Sequence, residues 1–269
     1  MLLRVRELQD YTIRATDGDI GHVEQLYFDD QTWTIKYVVV DVGNWLSGRK
    51  VLISPTVVIE ADASGKNIHV SLTREEIQKG ADIYTHKPVA LQHPTDYSIY
   101  FGWPTYYWGL TGLGATDRYP SGGSAGTGSG SERSVDTGFK EENDPHLRST
   151  DVVGGYHIMA VDGEIGHIED FIVDDQTWTV RYAVADTRNW WPGKKVLLAT
   201  EWILWISWAE ANAYVSLGRE LITNAPEFDP AQPLTRDYEV KLYAHYKRSP
   251  YWNRNERGRM KHMTTNESR

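Results

Sequence analysis

The most constraining feature of this chain is that it contains itself twice. Ile13–Ile53 aligns with Ile158–Leu198 at a constant offset of 145, without a gap, and 23 of the 41 positions are identical. The string DGDIGHVEQLYFDDQTWTIKYVVVDVGNWLSGRKVL returns as DGEIGHIEDFIVDDQTWTVRYAVADTRNWWPGKKVL, and the offset still holds at Val70/Val215, Leu72/Leu217 and Arg74/Arg219. A chain of 269 residues built this way folds as two copies of one small domain, each burying its own apolar face, and not around one large core.

Within each copy the signals are those of short strands. Asp17-Gly18 and Asp162-Gly163 lie between apolar-alternating runs, which predicts two-residue hairpin turns with positive φ. After Asp29-Asp30-Gln31-Thr32, the residues Trp33, Ile35, Tyr37 and Val39 alternate along one face, while Val38, Val40 and Val42 make the other face apolar too, predicting a strand covered on both sides. Further strands are predicted at 50–53, 57–61 and 68–72. Thr73 with Glu76 has the spacing of a capping box and predicts a short helix, whereas Gly218 replaces that threonine in the second copy and weakens the corresponding cap. Five or six short strands with no long amphipathic helix leave exposed strand edges that closure removes, so each copy is expected to be a small barrel.

The order DG[DE]IGH[VI]E, DDQTW, a ribbon ending in Val-x-Asp, a glycine turn and [RK]KVL resembles the PRC-barrel family, the β-barrel shared by the cytoplasmic part of the photosynthetic reaction-centre H subunit and the C-terminal domain of RimM. The resemblance implies an all-β protein of two small PRC-type β-barrels in tandem, each with a short helix after the last strand. The expected organisation is a first barrel at 1–95, an aromatic arm at 96–108, a flexible Gly/Ser-rich linker at 109–149, a second barrel at 150–225, a second aromatic arm at 226–252 and a basic disordered tail at 253–269. The linker holds 9 of the 23 glycines, and as flexible coil it spans roughly 35 Å, so the relative placement of the barrels is left open.

Composition narrows the functional classes. With 28 Lys and Arg against 37 Asp and Glu the net charge is −9, which argues against a protein that coats nucleic acid or anionic lipid by bulk charge. Without cysteine there is no thiolate nucleophile, thiolate metal site or disulfide. The opening residues carry Arg4, Arg6 and Glu7 where a signal peptide has its apolar run, and no stretch approaches 18 apolar residues, so a cytoplasmic location is expected. Residues 247–269 carry a net charge of +5 and read as a solubilising tail.

The candidate sites are weighed against plainer readings. His22 with Glu24, and His167 with Glu169, fall two apart on a strand and would share a face, as half of a metal site or a proton relay does, yet the other histidines are scattered without ligand spacing. Asp29-Asp30 and Asp174-Asp175 are read as turn caps. Trp33 and Trp178 are read as core, and Trp45 and Trp190 as partly exposed in a turn. Gly126-Thr127-Gly128-Ser129-Gly130 lacks the lysine of a phosphate loop and is read as low complexity. No catalytic residue, cofactor or metal is assigned.

The best interaction candidates are the aromatic arms. Tyr97, Tyr100, Phe101, Trp103, Tyr106, Tyr107 and Trp108 place seven aromatics in twelve residues, and Tyr246, Tyr251 and Trp252 repeat the theme. Such segments fold back on a barrel, exchange between subunits, or wait for another protein. The function expected is therefore a non-catalytic scaffold or protein-interaction protein with a regulatory role. Its partner would be itself, as a homo-oligomer, or another protein, with no small-molecule substrate, no specific nucleic acid and no predicted membrane contact. The resemblance also leaves two rivals: a peripheral component of photosynthetic electron transfer like the H subunit, and an RNA or ribosome accessory like RimM. In its organisation the chain looks like the stand-alone tandem barrels of bacteria.

Overall fold

The computed structural model describes residues 1–43, 50–78, 146–187 and 193–253. In the first half the elements run β1 (Leu2–Arg4), α1 (Val5–Leu8), β2 (Thr12–Ala15), β3 (Gly18–Asp29), β4 (Ile35–Asp41), β5 (Lys50–Ile53), β6 (Val58–Asp62), β7 (Asn67–Val70) and α2 (Arg74–Gln78). The second half repeats them as β8 (Leu147–Ser149), α3 (Thr150–Val153), β9 (His157–Ala160), β10 (Gly163–Asp174), β11 (Thr179–Asp186), β12 (Lys195–Ala199), β13 (Ile203–Ser207), β14 (Asn212–Val215) and α4 (Arg219–Thr223), then adds α5 (Arg236–His245).

Each half forms one sheet. The first is ordered β5-β4-β3-β2-β7-β6 and the second β12-β11-β10-β9-β14-β13, strand for strand the same path. All ladders are antiparallel except β2–β7 and β9–β14, which are parallel. The two ends of each path are joined by a single 3-10 turn, Pro55–Val57 or Thr200–Trp202. The fold is all-β with short helices, as expected. As predicted, β4 is covered on both sides: Ile35, Tyr37, Val38, Val39 and Val40 are all buried.

The hairpin turns differ from expectation in detail. Ala15 pairs with Gly18, so the two turn residues are Thr16 and Asp17, and neither has a positive φ; only Gly18 does, at 147°. Asp17 is thereby released for a second task, since its Oδ1 accepts the Arg74 N–H at 2.8 Å and caps α2. Asp162 does the same for Arg219 at 2.8 Å. That bond explains why α4 forms with Gly218 at its N-cap, while α2 adds the predicted capping box, Thr73 N–H to Glu76 Oε2 at 2.7 Å and Glu76 N–H to Thr73 Oγ1 at 3.2 Å.

The long strands β3 and β10 each carry a bulge shortly after a glycine. A Cβ on Gly21 would stand 2.0 Å from the Asp41 carbonyl oxygen, and one on Gly166 would stand 2.1 Å from that of Asp186. Only glycine lets the two backbones approach this closely. The register then slips between Val23 and Gln25, and between Ile168 and Asp170, leaving Glu24 and Glu169 as the extra residues.

The halves are not separate beads. β1 adds to the second sheet, pairing Leu2–Arg4 with Asp174–Ile172, and β8 adds to the first, pairing Leu147–Ser149 with Asp29–Tyr27. Each barrel therefore carries the opening strand of the other. The expected boundary at 150 cuts through this unit, because Leu147–Ser149, read as the end of the linker, form a strand. A single hydrophobic cluster runs through both halves.

Candidate functional site

The joint between the barrels brings more of the singled-out motifs together than any other place in the described structure. Thr34 and Thr179, counterparts at offset 145, form a β-bridge, flanked by Ile35 N–H to the Trp178 carbonyl and Val180 N–H to the Trp33 carbonyl, both 2.7 Å. Residues that pair with their own counterparts mark a two-fold axis, so the barrels are related by a pseudo-two-fold through this point. Trp33 and Trp178 reach it at φ of 58° and 48°, a backbone state costing about 1–2 kcal/mol for a bulky residue. Burial of both rings and the stack of Trp33 on Phe28, centroids 5.1 Å apart, offset that cost. The tryptophans are core, as read, but they begin no strand; they are the corner from which β4 and β11 leave.

The paired aspartates cap their turns and also clasp the joint. Asp29 Oδ1 accepts the Gln31 and Thr32 N–H groups at 3.0 and 2.8 Å, and Asp174 Oδ1 accepts that of Gln176 at 3.0 Å. Burial works against the charge of Asp174, but the Arg181 guanidinium at 2.9 Å and the bonds from Gln176 and Thr177 outweigh it and hold the carboxyl below its usual range. Asp30 meets His146 at 2.9 Å and Arg148 at 2.6 Å, while its counterpart Asp175 meets the amino group of Met1. The second role could not be read from spacing, because its partners arrive from the far end of the chain.

The His-x-Glu pairs do not share a face in the expected way. The bulge turns Glu24 to Lys50, and Glu169 to Lys195 at 2.8 Å and Arg6 at 3.1 Å. His22 has Thr12 Oγ1 at 3.5 Å, and His167 lines a cavity of about 290 Å³ at the joint. That cavity lies between α1 and α3 and is lined by both Gln9 and its counterpart Gly154, and Gln9 Nε2 donates to the Glu24 carbonyl at 2.8 Å. Among the described residues no three His, Asp or Glu gather in a way that could hold a metal ion.

The second receiving strand buries a carboxylate. Asp170 is 6% exposed; its Oδ1 accepts the Phe171 N–H at 2.8 Å and the Arg6 N–H at 3.3 Å, and its Oδ2 has no partner. Burial pushes its pKa up to about 6 against the opposing pull of those two bonds and of the Arg6 and Arg4 charges.

Of the aromatic candidates, Tyr97, Tyr100, Phe101, Trp103, Tyr106, Tyr107 and Trp108 lie outside the described residues, as do Trp45, Trp190 and the glycine-rich string at 126–130. The second arm folds back on its own barrel, as a helix. Thr235 caps α5 by accepting the Tyr238 N–H, and Leu242, Tyr243 and Tyr246 are buried. Trp202 packs against Tyr243 and Tyr246, centroids 5.4 and 4.5 Å away, and Trp252 packs against Tyr243 at 5.3 Å. At the centre the fully buried Glu239 accepts from Tyr182 Oη at 2.7 Å and Tyr251 Oη at 3.2 Å and pairs with Arg236 at 3.0 Å. Tyr246, Tyr251 and Trp252 thus meet the protein's own surface. Tyr238, Leu242 and Tyr246 at i, i+4 and i+8 were the helical signal that the sequence reading missed.

Comparison with protein-family models matches residues 2–77 to the PRC-barrel domain. The protein carries a PRC-barrel domain. PRC barrels form a family of scaffold and interaction domains, and this match begins at Leu2, so the exchanged β1–α1 unit belongs to the domain by sequence although it sits on the other barrel. The second barrel lies beyond the match and repeats the first in strand order, bulge and helix. A comparison with curated proteins finds no match. No helix among the described residues is long and apolar enough to cross a membrane.

The PRC barrels leave one face unaccounted for by sequence reasoning. On the outer strands β6 and β13, the counterparts Ile59 and Leu204 are 66% and 57% exposed, and beside Leu204 the rings of Trp205 and Trp208 are about half exposed. Trp205 stacks on Tyr214 at 4.4 Å, and the Arg148 guanidinium lies over Trp208 at 4.9 Å.

Proposed function

We propose that this protein is a non-catalytic scaffold in which two PRC barrels, locked together by exchanged strands, present the β13 edge to another protein. The observation that carries this reading is the aromatic edge itself: Leu204, Trp205 and Trp208 stand exposed on or beside a strand whose outer side is unpaired among the described residues. An apolar edge of this kind is costly to leave in water and fits an extended segment that adds to the sheet. The continuous core beneath it supports the same reading, since a rigid base lowers the ordering cost of binding.

The test is affinity purification of the full chain from its native cell, native against Leu204→Ser/Trp205→Ser, with quantification of co-eluting proteins. The variant stays folded, its thermal midpoint lowered only by the lost Trp205–Tyr214 stack, and loses the proteins enriched by the native chain. An unchanged co-eluting set, with the variant folded, overturns the proposal.

A further inference from the structure

The two exchanged units occupy equivalent places but face unlike surfaces. Where the β1–β10 and β8–β3 ladders end, the helices begin: Arg6 N–H reaches Asp170 on β10, and Thr150 reaches Leu26 on β3, with Val5 and Asp151 beside them in the chain. On the β3 side, Thr150 Oγ1 accepts the Leu26 N–H at 3.1 Å and donates to the Leu26 carbonyl at 3.2 Å, both in buried surroundings, and Ser149 donates to Gln25. On the β10 side the equivalent N–H, that of Phe171, is already taken by Asp170, and Val5 needs no polar atom. Arg6 completes this surface through its backbone bond to Asp170 and its ion pair with Glu169.

Now consider each module paired with a second copy of itself. Module 1 with module 1 would set Val5 against Leu26 and leave its buried N–H and carbonyl without the threonine, polar groups cut off from water and unpaired. Module 2 with module 2 would put Asp151 at the place of Arg6, so that the guanidinium paired with Glu169 and the backbone N–H bonded to Asp170 are replaced by a further carboxylate.

The sequence carries the same imprint. Within Ile13–Ile53 the longest run of mismatches is the four residues Gln25–Phe28 against Asp170–Val173, on the strand that receives the exchanged unit, and a longer one, 53–66 against 198–211, follows that block. The units themselves, residues 2–12 against 147–157, keep only Leu2/Leu147 and Tyr11/Tyr156 in common.

We propose that Val5–Arg6 with Asp170–Phe171, and Thr150–Asp151 with Gln25–Leu26, form a pairing code that makes each barrel accept the opposite module and reject a second copy of itself. The partner recognised at this surface is the other half of the same chain. This goes beyond the scaffold reading and does not depend on the β13 edge.

The experiment is the full chain carrying Val5→Thr, Arg6→Asp, Thr150→Val and Asp151→Arg together, which preserves net charge and exchanges the two codes. Light scattering over a concentration series reads the mass. The exchanged chain now satisfies both surfaces only by pairing like with like, either between two chains, which doubles the mass and makes the thermal midpoint rise with concentration, or within one chain, each opening unit closing its own barrel at the native mass. Each half-exchange, Val5→Thr/Arg6→Asp or Thr150→Val/Asp151→Arg, lowers the midpoint. Each corrected contact should tighten like-with-like pairing by about tenfold. A four-fold variant no more stable than the half-exchanges, or one that fails to fold at any concentration, overturns the proposal, as do half-exchanges that leave the midpoint unchanged.

Discussion

Replacing Asp170 by Asn tests whether the joint buries this carboxylate at a cost. The pKa of Asp170 rises from 3.8 to about 6, with burial as the leading cause. A shift of about two units corresponds to about 3 kcal/mol at most. Because the folded protein holds this proton more tightly than the unfolded chain does, it binds more protons between about pH 4 and 6, and its stability falls as pH rises through that window. Above pH 6 the full cost persists. The amide of Asp170→Asn retains an oxygen for the Arg6 and Phe171 N–H groups and carries no charge, so the variant lacks this dependence. Urea unfolding followed by tryptophan fluorescence at pH 4.5, 5.5, 6.5 and 7.5 measures both proteins, and the difference between them isolates the one group. The variant should gain on the native protein by just under about 2 kcal/mol from pH 4.5 to 6.5 and almost nothing beyond. A difference that is flat with pH, or that grows in favour of the native protein, would show that Arg6 and Arg4 compensate the buried charge and would refute the reasoning.

Three other outcomes follow from the same structure. Gly21→Ala and Gly166→Ala drive a Cβ to within about 2 Å of a carbonyl oxygen on the neighbouring strand, so each should cost more than about 3 kcal/mol or prevent folding, read by urea titration; a change under about 1 kcal/mol would mean that the bulge does not need glycine. Glu239→Ala leaves the Tyr182 hydroxyl and Arg236 without their buried partner and should cost about 3–5 kcal/mol, measured by differential scanning calorimetry. Trp202→Ala removes the ring on which Tyr243 and Tyr246 rest; a loss of about 3–5 kcal/mol together with faster proteolysis within 236–253 is expected, and intact protection of that segment would separate α5 from the barrel.

Much of the barrel was legible because its signals are local. Period-two alternation in Trp33–Val42 places a strand whatever lies beyond it, and the Thr73–Glu76 box closes over four residues. The hairpin turn was placed one residue late because Asp17-Gly18 is a strong local signal, while the Asp17 side chain answers to Arg74, 57 residues away. The bulge at Glu24 overrode simple alternation for the same reason: Gly21 is required by the Asp41 carbonyl across the sheet, and nothing beside it in the chain announces that. The helix α5 is hidden by its composition: its tyrosines read as an aromatic arm, while the informative feature is the i, i+4, i+8 spacing of Tyr238, Leu242 and Tyr246.

The repeat, the barrel topology of each half and the short helix after β7 were properties of the sequence alone, because alternation, turn residues and caps act over a few neighbours. Which barrel each opening strand joins was decided only in three dimensions. Leu2–Arg4 has the same local pattern whether it closes its own sheet or the other, and the choice falls to whether Val5 and Arg6 meet Phe171 and Asp170 or meet Leu26 and Gln25. Those are contacts between groups far apart in the chain, whose energies depend on burial that no local pattern encodes.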